Sequence, residues 1–287
     1  MGWFHELTGL SSDIPAVVRA GCHVDGNELV FPGSGKRLVW GSLSMPMLSD
    51  LPLPPQGPPK GPPRLRLREV VADVARLHAD PDNAGAVFQV ASQFNLLEMV
   101  GPSVTPDQGI AGYAFDHTQG PACAMACAAG TIYRNYLVPF GGQNEGGQIG
   151  QSAAKQLDML ADLGAVLGNE TGDLWQMRNG YALPQSGGLQ KVAQRIAAGD
   201  RATLRGRVRV GVQGDTQVTL PGAKHVVTQI YASALPIAYA EAAVADWEPF
   251  ARLVLEAAYL ATLAAAVQSG ASRVFLTRLG EIGRAHV

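Results

Sequence analysis

Charge and cysteine are both scarce in this chain. Of its 287 residues 16% are charged, 22 basic against 24 acidic, giving a formal charge of −2 and a pI near 6.3. So few Lys and Arg leave no basic footprint, which excludes sequence-specific nucleic acid or an acidic membrane surface as the expected partner. Three cysteines, Cys22, Cys123 and Cys127, make neither a disulfide framework nor a zinc quartet. The opening MGWFHELTGL lacks the basic and apolar regions of a secretory signal, and Glu6 stands where a myristoylation site wants Ser or Thr. The most apolar stretch, 250–267, carries Arg252 and Glu256 inside it, so it is not expected to span a membrane. What is present is 47% hydrophobic residues, enough to bury a sizeable core in one large domain or two modest ones. The expectation is a soluble, cytoplasmic globular protein of open oligomeric state.

Both ends of the chain stand apart. Residues 1–50 form an N-terminal region in which ELVF, PGSGK and RLVW over 28–40 read as a hairpin with a Gly-rich turn. PGSGKR lacks the spacing of a phosphate-binding P-loop. Residues 51–63 (LPLPPQGPPKGPP) hold seven of the 19 prolines, which reads as a stiff extended linker or, alternatively, a ligand for a proline-binding domain. The last seven residues, EIGRAHV (281–287), reverse-translate as GAG-ATC-GGA-AGA-GCA-CAC-GTC, the start of a short-read sequencing adapter. They are therefore expected to be an artefact, with the natural chain continuing past Gly280.

Between these ends, strand and helix patterns alternate. Residues 67–78 place Leu67, Val70, Val71, Val74 and Leu77 on one helical face. Residues 86–91 (AVFQVA) are a buried-strand run. Gly120-Pro121 opens a small-residue helix expected to end at Gly130. Five glycines in 141–150 lead into an expected helix over 152–167. Strands are expected at 207–212, 225–235 and 273–279, and a helix over 247–268 capped by Asp246. Strands alternating with helices imply a layered α/β domain with any ligand at the C-terminal strand ends.

The densest polar group follows the AVFQVA strand: Ser92, Gln93, Asn95 and Glu98, then Asp116, Thr118 and Gln119. These either line a site or satisfy loop backbone. Thr118-Gln119-Gly120-Pro121 before an Ala/Cys helix suits close approach of backbone amides to a phosphate or ribose, and equally suits tight helix–sheet packing. Cys123 and Cys127 share a helix face and read as buried small hydrophobes; a Cys123–His117 nucleophile pair is the alternative. No metal constellation and no cofactor is implied.

In order, these segments resemble the macrodomain superfamily, the ADP-ribose-binding fold. AVFQVASQFNLLEM followed by TQGPACAMACAAG is similar to that family's Asn-containing loop and Gly-rich helix start. HVVTQIYASALP, the long helix and RVFLTRLG then follow in family order, while the Asn-Ala-Ala-Asn and triple-glycine motifs are absent. The resemblance covers 84–280, with about 138–205 as an insertion, in a domain running 64–280. It implies a three-layer α/β/α fold with a mixed, largely parallel sheet. It also implies binding of ADP-ribose or an ADP-ribosylated substrate, with hydrolysis of an ADP-ribosyl linkage. The alternatives are a non-catalytic nucleotide-binding module and a structural protein without a nucleotide ligand. Carried over by residue, Asn95 would hydrogen-bond the distal ribose, and Gly120 would face ribose and phosphate. Gly280 would begin a phosphate loop, and Gln89, Ser92, Gln93, Thr118, Gln119 and Ser233 would complete the ligand site. Glu98 and then Asp116 would be the catalytic carboxylates.

Overall fold

The computed structural model describes residues 2–53, 65–140 and 148–280. Most of the Pro-rich segment, the first seven residues of the glycine-rich loop and the adapter-like tail lie outside the described residues.

The chain opens with α1 (Trp3–Thr8) and α2 (Pro15–Gly21). An antiparallel meander follows, of β1 (His23–Asp25), β2 (Glu28–Phe31) and β3 (Lys36–Val39). The hairpin expected over 28–40 is β2–β3, with Phe31 opposite Lys36 and Gly35 taking a positive φ in the turn. The next strand, β4 (Ser42–Ser44), leaves the meander to become the edge of a second, central sheet.

Helix α3 (Val74–Ala79) is much shorter than the one expected over 67–78. The Asp73 carboxylate accepts from the Ala75 and Arg76 amides and so starts the helix there. Ahead of it Leu67 and Val71 are 88% and 99% exposed, so this part of the predicted stripe has no surface to pack on, whereas Val74 and Leu77 pack on a core cluster. Then come β5 (Val87–Ser92), α4 (Gln119–Ala126), α5 (Ala128–Ile132) and a π-helical turn at Tyr133–Leu137. Gly130 is not a helix cap, as expected, but an interior residue of α5. A Cβ there would meet the Gln213 side chain at 2.8 Å.

The helix expected over 152–167 shrinks to α6 (Ala161–Val166). Gln151 Oε1 accepts from the Leu157 amide and Asp158 Oδ1 from the Leu160 amide, each occupying a donor that a helix would use itself. After α6 come the hairpin β6 (Trp175–Arg178) and β7 (Tyr181–Pro184), α7 (Gly188–Ala198) and α8 (Arg201–Gly206). The last elements are β8 (Gly211–Gln217), β9 (Val226–Ser233), α9 (Val244–Gln268) and β10 (Val274–Phe275). The strand expected over 207–212 starts later, because Arg209 is held in an isolated bridge to Met47. Helix α9 starts two residues before Asp246, which sits in the first turn, where its charge favours the positive helix end.

The central sheet has the order β10-β5-β9-β8-β4. Its pairings β10–β5 and β5–β9 are parallel, and β9–β8 and β8–β4 antiparallel. The fold is thus mixed α/β with a mixed sheet, and the expectation of a largely parallel one is corrected. Helices cover both faces of β5 and β9, which is why β5 reads as a continuous apolar run. On one face Gln89 Nε2 donates to Thr262 Oγ1 of α9 at 2.8 Å. On the other, Gln229 Nε2 donates to the Cys123 carbonyl of α4 at 2.9 Å, and Phe88 stacks on His78 of α3.

Helix α9 is the one helix among the described residues long and apolar enough to cross a membrane, and 56% of its apolar 18-residue stretch is buried inside the protein. Trp247, Phe250, Leu253 and Val254 belong to the largest core cluster, which α7 and α8 share through Val192 and Leu204.

The last strand is the most truncated. Residues 273–279 were expected to form it, yet only Val274 and Phe275 pair, with Val87 and Phe88. The reason is Gln119: its side-chain amide donates to the Gln89 carbonyl and accepts from the Ala91 amide, both at 2.8–2.9 Å. That amide takes the ladder positions β10 would otherwise fill, so the chain peels away toward Gly280.

Candidate functional site

The C-terminal ends of the parallel pair β5 and β9 open into a cleft of about 1100 Å³. Its walls come from five sources: residues 91–100, Asp116 with the start of α4, the β6–β7 hairpin tip, the segment 234–244 with the adjoining face of α9, and Leu279-Gly280. This is where an α/β sheet presents a ligand crevice.

Seven of the sequence-predicted residues line it: Ser92, Gln93, Glu98, Asp116, Thr118, Gly120 and Gly280. Gly120 is required there. A Cβ would overlap the Ala91 carbonyl oxygen and press on Glu98 Cγ at 3.0 Å, so only glycine lets the helix start lie against the strand end. The N-cap of α4, Thr118, makes no side-chain cap. Its hydroxyl and amide instead donate to Asp116 Oδ1 at 2.6 and 2.9 Å. Pro121 has no N–H and the Ala122 amide donates to the Thr118 carbonyl, so the Gln119 and Gly120 amides are the uncapped ones, and of these Gly120 lines the cleft, at the positive end of the helix dipole.

Four predicted residues are used elsewhere. Gln89 bridges β5 to α9 and accepts from the Thr277 amide. Gln119 caps the β5 edge. Asn95 is fully buried, its Oδ1 accepting from the Leu97 amide and its Nδ2 donating to Gln156 Oε1. Ser233 is buried in register opposite Ser92. None of the four lines the cleft.

Glu98 is the unusual group. It is 2% exposed, and neither carboxyl oxygen has a hydrogen-bond partner. Burial pushes its pKa up to about 8, while the charge of Arg134 and the Tyr113 hydroxyl pull the other way. It is thus a carboxylic acid that stays protonated at neutral pH. The Ser92 hydroxyl, at the end of β5, is likewise buried without a partner. Two buried polar groups without a hydrogen-bond partner thus belong to residues of one cleft.

The support for Glu98 comes from residues the sequence reading passed over. Arg134, on the π-helical turn, is fully buried. Its Nε donates to the Leu96 carbonyl at 3.0 Å and Nη1 to Gln213 Oε1 at 3.0 Å, and its guanidinium lies 3.6 Å over the Tyr231 ring. Leu96 takes φ +62°, a conformation costing roughly 1–2 kcal/mol for a branched side chain. The Arg134 bond to its carbonyl helps hold that turn, and with it the position of Glu98. The Glu98 amide donates to the Tyr113 hydroxyl at 3.0 Å. An Arg inside the apolar run TIYRNYL was the available signal for this.

The expected insertion supplies a wall. Asn179-Gly180, both at positive φ, turn the β6–β7 hairpin and bring Gly180 and Tyr181 into the cleft. An amide chain anchors the turn: Asn95 Nδ2 donates to Gln156, Gln156 to Asn179, and Asn179 to the Pro102 carbonyl. The Tyr181 hydroxyl donates to the Met99 carbonyl at 2.7 Å, and its ring meets Tyr239 edge-on at 5.1 Å. Asn-Gly is a readable hairpin signal, but its place beside residue 93 is not.

Cys123 and Cys127 are fully buried, and burial pushes both thiols well up, the reverse of an activated nucleophile. Among the described residues no group of three His, Cys, Asp or Glu side chains could hold a metal ion. No family model matches this chain, and neither a curated protein nor a solved structure matches it.

Proposed function

We propose that the cleft binds ADP-ribose or an ADP-ribosylated substrate and that Glu98 protonates the leaving group of a ribosyl bond cleaved there. The observation that carries this reading is Glu98 itself, a buried carboxyl without a hydrogen-bond partner in the cleft wall beside the start of α4, where burial favours its neutral form. An acid with a pKa near the working pH is the efficient proton donor. As the bond to the anomeric carbon lengthens, the Glu98 proton moves to the departing oxygen, and water adds to the oxocarbenium-like carbon. Asp116, the second carboxylate of the cleft, orients that water. The water's proton returns to restore the acid. The uncapped Gly120 amide takes an oxygen of phosphate or ribose.

A second reading, a binder without turnover, has one observation in its favour. Asp116 Oδ1 is engaged twice by Thr118, which suits a carboxylate that builds the helix start rather than activates water.

Calorimetry with ADP-ribose, together with release of ADP-ribose from a modified protein, separates these. The enzyme reading expects binding by wild type, Glu98→Gln and Asp116→Asn alike, with release falling at least about a hundredfold in Glu98→Gln. Binding without release by wild type selects the binder; absence of ADP-ribose binding refutes both.

A further inference from the structure

The cleft has two chemically different halves. The polar groups, Ser92, Gln93, Glu98, Asp116 and Thr118, sit on the strand ends and the start of α4. The opposite side, from 234–244 and α9, is apolar apart from the Tyr239 hydroxyl. No Lys, Arg or His lines the cleft among the described residues.

The apolar half does not end at the cleft. It runs into a groove of about 680 Å³ along the outer face of α9, and Ile237, Val244, Ala251 and Leu255 line both. Beyond the junction the groove is lined by Trp247, Tyr259 and Leu260. Its charged side chains are already paired. Glu248 and Arg252 form an ion pair at 2.6 Å, one turn apart, and Glu256 is held by Arg201 at 2.9 Å. The groove is therefore apolar and electrostatically quiet. Large apolar side chains nonetheless face solvent on this side, with Val244, at the junction, 69% exposed and Tyr239, in the cleft wall, 50% exposed. Exposed apolar surface continuous with a polar cleft marks a ligand that is itself part polar and part apolar.

We propose that this groove is a second subsite, taking an uncharged hydrocarbon group, alkyl or aryl, of the molecule whose polar part occupies the cleft. The substrate would then carry an apolar group close to its ribosyl linkage. The inference rests on the cleft being the ligand site and adds the class of leaving group it serves.

The test uses the whole chain and n-alkyl β-D-ribofuranosides from methyl to octyl, with ADP-ribose and 1-naphthol as separate probes, all by calorimetry. Affinity should rise about three- to fourfold per methylene, the fold-change equivalent to about 0.8 kcal/mol per buried CH₂. Leu260→Asp, which charges the groove away from the cleft, should flatten the rise for the longer chains and leave ADP-ribose affinity unchanged. Its thermal midpoint shows whether it is folded; if it is not, Leu260→Gln takes its place. A flat series, or a rise equally steep in the folded variant, overturns the subsite even if ADP-ribose binds. If ADP-ribose and methyl riboside fail to bind while 1-naphthol binds in a Leu260-dependent way, the groove stands and the ribosyl reading falls. If no probe binds, the groove is refuted.

Discussion

Replacing Glu98 by Gln should stabilise the protein at neutral pH and not at acid pH. Folding takes this carboxyl from an ordinary value of 4.5 to about 8, with burial as the main cause. Its neutral form is favoured in the fold, so its contribution is most favourable below pH 4.5 and is lost as pH rises through about 8. At pH 7 the unfolded chain is ionised and the folded one is not. The gap of about 2.5 pK units between 4.5 and 7 corresponds to about 3 kcal/mol of lost stability. At pH 4 the loss is near zero. A buried glutamine amide adds its own cost, but that cost does not change with pH. The diagnostic quantity is the difference between the two proteins' urea-unfolding free energies at pH 4, 5, 6, 7 and 8. Other titrating groups, His78 among them, contribute equally to both curves and cancel. The variant should gain about 3 kcal/mol on wild type between pH 4 and 7. Parallel curves would mean that Glu98 is solvated or ionised in the fold, and with that the case for it as a proton donor would go. A stabilised variant that has lost turnover is the expected trade-off at a strained site.

His78 should act in the opposite sense. Burial lowers it from 6.5 to about 4, and it is fixed as the neutral ring between the Val74 carbonyl and Gln229. Its contribution of about 3 kcal/mol is present above pH 6.5 and lost as pH falls to 4. A His78→Gln protein should therefore show a flatter acid limb in pH-dependent unfolding, and an unchanged limb would refute the assignment. Gln119→Ala removes two bonds from the β5 edge and should cost about 1–3 kcal/mol by denaturant unfolding, with amide exchange at Ala91 accelerated; slow exchange at Ala91 would show that the edge has another partner. Gly120→Ala drives a methyl group into the Ala91 carbonyl and toward Glu98, and should destabilise by about 1–3 kcal/mol while weakening ligand binding. Wild-type stability in that variant would mean that the α4 start lies farther from β5.

Local pattern was enough for elements that carry their own boundary chemistry. The β2–β3 hairpin, the buried strands β5 and β9 and the long helix α9 were legible, because β-branched runs, turn glycines and an extended alanine-rich face act within a few residues. It failed where a side chain competes with the backbone. Asp73, Gln151 and Asp158 take amides that helices would have used, and Gln119 takes the place of a strand.

The site divides along the same line. The sequence by itself determined that polar residues cluster after β5 and that a glycine opens the following helix, and both observations are local. Only the tertiary structure decided which of those residues line the cleft. Asn95, Gln89 and Gln119 proved to be internal partners, whereas Tyr181 arrives from nearly ninety residues away on a hairpin tip. Scarcity of charge, visible from composition alone, takes on its meaning there too. With no cation lining the cleft among the described residues, its carboxyls are Asp116, which Thr118 engages, and the buried Glu98. That carboxyl is neutral because of what surrounds it, and burial is a property the chain acquires only on folding.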